Sequence, residues 1–328
     1  MRRNLSILYS TAAAALISLA ALNPAWGSQG KFPSKPVTIV TGAQPGSGLD
    51  VLTRRVAEGL SKEWGQPVVV ENKPGANNTI AARTVAKSPP DGHVLFTVPS
   101  SIIQVTFLYK DANLSLNDFE AVTKMVIWPN VLAMSSSLPA DTLQDLVKLA
   151  KEQPGKLTYG SVGIGSSGHL LGEILKTVAG VDIMHVPYSG ETSTINDLLG
   201  GRVDLMYGST GSLAPHAESG KLKIIAVASP ERLKGYPDFP TFAESGYERA
   251  GIAGWGGLFA PAGTPSDVVE KISKATAAVV NQPENSEFIV KMLGAIPLGN
   301  TPEQFSQELG NDSKSIENVI STANIKLN

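Results

Sequence analysis

The 328 residues contain no cysteine. Disulfide staples, thiolate metal sites and cysteine nucleophiles are therefore excluded, and so is a cysteine-borne lipid anchor. A chain this long buries enough surface to fold without covalent cross-links. Histidine is scarce, with four in all. His169 and His185 have no second histidine or cysteine at i+3 or i+4, so they read as structural residues, and neither metal nor cofactor is expected. Charge is sparse and balanced, with 27 Lys+Arg against 29 Asp+Glu. Long hydrophobic runs are missing too. The run Thr11–Leu22 is short for a membrane span. It lies between Arg2-Arg3 and the small-x-small triplet Ala25-Trp26-Gly27, which together read as a cleavable targeting segment over residues 1–27. A retained anchor is the alternative, and the arginine pair hints weakly at a twin-arginine route. Removing this segment lowers Lys+Arg from 27 to 25 against 29 acids, a net charge of about −4. That balance argues against a nucleic-acid partner or a basic membrane-binding face. An exported, freely diffusing chain is expected.

What is present is alternation. Val37–Thr41 is a β-branched run bounded by turn residues and reads as a buried strand. It feeds a loop whose Gly42, Gly46 and Gly48 allow a sharp turn. Leu52, Val56, Leu60 and Trp64 then step by four along one face of a helix, with Arg54, Arg55, Glu58 and Lys62 opposite. Val68–Glu71 is the next strand. Such a βαβ unit leaves unpaired helix N–H groups at the carboxyl edge of its sheet, where anions and small ligands settle. A helix over Thr79–Lys87 and a strand over His93–Val98 follow, the latter ending in Pro99-Ser100-Ser101. Thr142 and Asp145 are spaced as a capping box for a further helix. Strands are read at Lys156–Ser161, Ile183–Val186, Val203–Tyr207 and Lys223–Ala228, and a helix at Thr192–Leu199. This alternation argues for α/β architecture with mostly parallel sheets. Thr264-Pro265 and Thr301-Pro302 open two C-terminal helices. No internal repeat is evident.

Gly163-Ile-Gly-Ser-Ser-Gly168 is literally G-x-G-x-x-G after a strand, with Asp182 at about the distance of a ribose-binding acid. Asp182 opens the next strand rather than closing it, which counts against a nucleotide. The same loop suits a carboxylate held by backbone amides of Gly165–Gly168 and the hydroxyls of Ser166 and Ser167. A capped helix with nothing bound is the plainer alternative. Gly208-Ser209-Thr210-Gly211 only superficially resembles a hydrolase elbow, and no acid–His pair accompanies it.

Two strings, Val-Val-Val-Glu-Asn-Lys-Pro-Gly-Ala from Val68 and Val-Ala-Lys-x-x-Pro-Asp-Gly-His from Val85, carry a further likeness. With Ser161–Leu170, His185–Gly190, Asp197–Asp204 and Phe259–Pro265 they resemble the Bug receptors, periplasmic solute receptors of tripartite tricarboxylate transporters. The resemblance implies an α/β, two-lobed periplasmic-binding-protein-like fold, each lobe a mostly parallel sheet flanked by helices. Lobe 1 would hold residues 30–128 plus 253–328 and lobe 2 residues 129–252, with hinge crossings near Trp128-Pro129 and Ala253–Leu258. It implies a monomeric periplasmic receptor, not an enzyme, that passes a small organic acid to membrane subunits of such a transporter. A sensor feeding a two-component kinase and an exported enzyme acting on a carboxylate are the alternatives. The ligand would meet Gln44, Gly46, Ser47, Gly48 and Asp50 on one wall, and Gly165, Ser166, Ser167, Gly168 and His169 on the other. Ser100, Ser101, Tyr188, Gly208 and Ser209 would complete the site. Asp50 also reads as a helix-start residue that fixes its loop. No arginine lies in these loops, so amide and water coordination is expected. Ala43 and Gln44 stand where the family commonly has an aromatic and a proline. Gly208 stands where it often has an aspartate, which predicts added room and little preference for an α-amino acid.

Overall fold

The computed structural model describes residues 32–322 and Ile325; the targeting segment expected over residues 1–27 lies outside them. Strand β1 (Val37–Thr41) is buried along nearly its whole length, as a β-branched run covered on both faces must be. Helix α1 (Gly48–Trp64) leads to β2 (Val68–Asn72), and α2 (Thr79–Ala86) to β3 (Val94–Pro99). Both strands pair with β1 in parallel. After α3 (Ile102–Leu108) and β4 (Phe119–Trp128) the chain enters a second sheet as β5 (Asn130–Ser135). There it runs through α4 (Leu143–Glu152), β6 (Thr158–Ser161), α5 (Ser167–Ala179), β7 (Met184–Pro187) and α6 (Glu191–Leu199). It continues through β8 (Leu205–Ser209), α7 (Thr210–Glu218) and β9 (Leu222–Ala228), then returns to the first sheet as β10 (Gly254–Pro261). Finally come α8 (Ser266–Val280), α9 (Pro283–Leu293), the two-residue β11 (Ile296–Pro297) and α10 (Pro302–Thr322).

The sheet orders are β11-β4-β10-β3-β1-β2 and β7-β6-β8-β5-β9. In the second sheet every strand but β5 runs the same way; in the first, β10 and the short β11 oppose the rest. The sheets are thus parallel except where a strand that has just crossed between them inserts, with β11 at one margin. The βα alternation explains the parallel part, and direct entry from the neighbouring lobe explains β5 and β10.

The two crossings lie side by side. Gly254 pairs with Trp128 across β10 and β4, and Asn130 Nδ2 donates to the Ile252 carbonyl at 3.2 Å. A third link comes from α10, which packs on both α3 and α5. Its Phe305 meets Trp255 edge-on at 5.2 Å, while Ile316 and Val319 join the apolar cluster that holds Leu170 and Ile174 of α5.

Helix α5 is seated on β6 through Gly172, where a side chain would collide with the Tyr159 ring. That ring is pinned, since its hydroxyl donates to Glu173 Oε1 at 2.7 Å. Replacing Gly172 by Ala gains about 1 kcal/mol of helix propensity, but overpacking a fixed aromatic costs about 1–3 kcal/mol. Sterics should win: Gly172→Ala is expected to lower the urea midpoint with an unchanged slope, and a raised midpoint would contradict this packing.

Candidate functional site

Loops at the carboxyl edges of the two sheets follow one plan. In the first, Gly46 takes φ 82°, Ser47 is an extended N-cap at φ −71°, ψ 161°, and α1 begins at Gly48. In the second, Gly165 takes φ 77°, Ser166 is the N-cap at φ −70°, ψ 160°, and α5 begins at Ser167. Left-handed φ comes freely to glycine and costs other residues about 1–2 kcal/mol. Each glycine N–H donates to the side chain four residues on: Gly46 to Asp50 Oδ2 at 2.8 Å, and Gly165 to His169 Nδ1 at 3.1 Å. The Gly46 and Gly165 amides are therefore engaged within their own loops. At these two helix starts, among the described residues, the N–H groups left without a partner are those of Gly48, Leu49 and Asp50 in α1 and of Ser167 and Gly168 in α5.

Asp50 belongs to the loop and not to the cleft. It is 2% exposed, and it accepts from Gly46 N, from Arg54 Nε at 3.1 Å and from Asn72 Nδ2 at 2.7 Å. Burial alone would raise its pKa, but these hydrogen bonds outweigh it and hold the carboxyl below the ordinary aspartate value. The same network occupies Arg54, whose Nη2 donates to Asn72 Oδ1 at 2.6 Å. Ser47 Oγ is buried and has no partner among the described residues. Gln44 is exposed, and its carbonyl closes the turn by accepting from Ser47 N at 3.1 Å. Behind this loop Ala76, Asn77 and Asn78 all have positive φ, and Asn78 closes over Gly42 with no space for a side chain there. Asparagine tolerates that backbone better than most residues.

Ser166 and His169 are likewise internal. Ser166 Oγ caps α5 by accepting from His169 N at 3.3 Å. His169 stacks on His185 at 4.0 Å between centroids, and His185 Nε2 lies 2.6 Å from Ser161 Oγ. Burial lowers the pKa of His169, partly offset by Glu173. His185 is lowered to about 4 by burial and then by His169. His169 accepts the Gly165 N–H only while its Nδ1 is unprotonated, so these shifts preserve the loop.

Ser100 and Ser167 do come together. They line an interlobe cavity of about 100 Å³ with Gln104 and Asn130, and Gln104 Nε2 donates across the lobes to Ser167 Oγ at 3.3 Å. At its rear stands Asp312, which accepts from Trp255 Nε1 at 3.1 Å and is raised by burial. Ser101 instead starts α3. Tyr188 donates its hydroxyl to Asp197 at 2.8 Å, and burial followed by that bond pushes its pKa up to about 12. Ser209 caps α7 by accepting from Ser212 N at 3.2 Å. Gly208 does not leave room: a Cβ there would stand 2.7 Å from Leu213 Cδ1 and 3.4 Å from Glu191 Oε1. Asp182 lies against Gly155 at the opposite edge of the sheet, where no ribose could reach it from the Gly163–Gly168 loop. Sequence reading did not single out Gln104, Asn130 or Glu191, each an isolated polar residue without a motif.

Two α/β lobes hinged on paired crossings, each presenting a free helix start, define a solute-binding protein. The profile of the tripartite tricarboxylate transporter family receptors matches residues 52–325, and the chain belongs to that family. A UPF0065 protein of Bordetella pertussis is 35% identical over 79% of this chain and 80% of its own. An R. palustris protein solved with adipate shares 32% identity, covers 90% of this chain and 99% of its own, and superposes with a TM-score of 0.67. A TctC solute binding protein from Polaromonas, solved with no ligand, shares 25% identity over 89% of this chain and 99% of its own, with a TM-score of 0.81. The family and these neighbours are binding proteins rather than enzymes.

Two outcomes follow from the loop chemistry. Asp50→Ala leaves the Gly46 N–H and the Asn72 amide without their acceptor and should cost about 2 kcal/mol in urea denaturation; an unchanged midpoint would show that the network is idle. For the histidine pair, the unfolded chain takes up protons near pH 6.5, whereas folded His185 resists until about pH 4. The stability they contribute is therefore full above pH 6.5 and lost as pH falls toward 4. Melting temperatures measured across that window should fall, and His185→Gln should flatten the fall.

Proposed function

We propose that this chain is an extracytoplasmic receptor whose lobes close on a small organic carboxylate and deliver it to membrane subunits of a tripartite tricarboxylate-type transporter. One observation carries the reading: matching helix starts, one per lobe, each keep unpaired N–H groups at a sheet edge while their glycine and N-cap are locked by local bonds. Such groups favour an anion without needing an arginine, and Arg54 is committed to Asp50 and Asn72. A ligand that touches both lobes stabilises the closed arrangement, which is binding by population shift. The higher superposition score on the ligand-free relative than on the adipate-bound one, despite lower identity, supports reading the present lobes as open. Membership of a transporter-receptor family and the export signal read in the sequence support delivery outside the cytoplasm.

A thermal-shift screen of organic acids tests this, since a ligand at about a hundred times its dissociation constant adds about 2.7 kcal/mol. Gly48→Glu is the matching variant. Its Cβ would meet only Leu293, at 4.0 Å, and an acid is favourable in the first helical turn, so the fold should survive while the added carboxylate repels the ligand. The expected result is a shift by at least one acid in the parent protein and none in the variant. A parent protein indifferent to every acid would end the proposal.

A further inference from the structure

Behind Ser167 the interlobe cavity turns apolar. Ser167, Leu170, Leu171 and Ile174 all line it, and their i, i+3, i+4, i+7 spacing puts them on one face of α5. That stripe runs roughly 10 Å back from the helix start, at 1.5 Å per residue. Ile316 of α10 lines the same cavity from the other lobe, and Ile252 lines it from the returning crossing. The volume is about 100 Å³, roughly three times the share of one water in the liquid. A space of that size with aliphatic walls holds water poorly and admits an apolar guest.

Ser167 belongs to both places. Its N–H is one of the unpaired groups at the α5 start, and its side chain, which accepts from Gln104 Nε2 at 3.3 Å, lies at the cavity wall. An acid held at Ser167 and Gly168 therefore has the cavity beside it. Charge on a chain entering there would be unwelcome. Asp312 lines the cavity with its carboxyl already raised by burial, and Lys124, the cation that acts on it, is paired with Glu308. A second carboxylate would meet like charge without a free cation, whereas methylene groups would bury apolar surface.

We propose that the cavity along α5 takes an uncharged aliphatic branch of the ligand, about four carbons long, so that this receptor prefers a small acid carrying a short alkyl chain to the same acid without one. The proposal rests on the receptor reading and narrows its substrate class. The added room that the bare sequence placed at Gly208 lies along α5 instead. A branch there touches α5 and α10 together, so it strengthens the same lobe arrangement that the carboxylate favours.

Calorimetric titration of the purified protein tests this with three acids and their butyl homologues: acetate and hexanoate, malonate and butylmalonate, and succinate and butylsuccinate. In at least one pair the butyl acid should bind about tenfold tighter or more, and octylmalonate should bind no tighter than butylmalonate, because the cavity ends. Ile316→Phe, which fills the cavity from α10, should remove the difference within each pair. If the plain acids bind as well as their butyl homologues, the aliphatic site is overturned while the receptor stands. An affinity that keeps rising to octyl, or a butyl gain undiminished in a folded Ile316→Phe variant, overturns it too, because the chain then gains without this cavity. Should Ile316→Phe not fold, the chain-length series in the parent protein decides alone. If none of these acids binds but other carboxylates do in the wider screen, the alkyl preference is again overturned. If no acid of any kind binds, both readings fall.

Discussion

One hydrogen bond, made once in each lobe, organises both walls of the cleft. A glycine in the left-handed region turns its N–H back onto the side chain four residues ahead, a carboxylate in one lobe and an imidazole in the other. That bond fixes the loop over the helix start, so the next N–H groups are held out and ready rather than collapsed onto their own chain. Pre-organised donors lose little freedom when a ligand arrives, and so more of each charge-assisted bond appears as affinity. The different acceptors give the two lobes different sensitivities. Asp50 is secured by Arg54 and Asn72, whereas His169 depends on remaining neutral within a stack of two imidazoles and Tyr159.

Most of the fold was legible because periodicity and turn chemistry agree. The β-branched Val37–Thr41 run, the four-residue steps of α1 and the capping box of Thr142 with Asp145 all appear where the side chains ask for them. Boundaries slipped where a side chain took over a backbone role. Val203 and Asp204 were read as strand, yet Asp204 Oδ2 accepts from Thr158 N at 2.8 Å and from its hydroxyl at 2.9 Å, so β8 begins at Leu205. The two loops were legible, from their glycines and serines, as turns that open helices at the carboxyl edges of the sheets. Which amides stay free was not, because Asp50 and His169 look unrelated until both are seen accepting the same bond. Gln104 and Asn130 carry no local signal at all, and their contacts arise only where the two lobes meet.

The crossings and α10 decide what motion is open to the molecule. Asn130 ties one crossing strand to the other through the Ile252 carbonyl, which favours bending of the pair as a ribbon over independent swivelling. The apolar contacts of α10 with α3 and α5 lie beside this ribbon. The closure proposed above would then be a rotation that slides packed side chains past one another, a mode in which small shifts at a ligand are passed to the whole lobe. The interlobe cavity that Gln104 and Ser167 line is also bounded by Asn130, Ala253 and Gly254, so it sits against the crossing strands.

The position of β10 in the chain has a bearing on synthesis. It is the strand between β3 and β4, yet it is encoded after the whole of the second sheet. A growing chain that has been released only as far as Trp128 has a sheet with its middle missing, and β3 and β4 have nothing to join them. The second lobe, whose strands all come from one uninterrupted stretch, can finish first. Until the last quarter of the polypeptide arrives the first lobe stays incomplete, and such a delay would suit a chain that has to be threaded across a membrane before it folds.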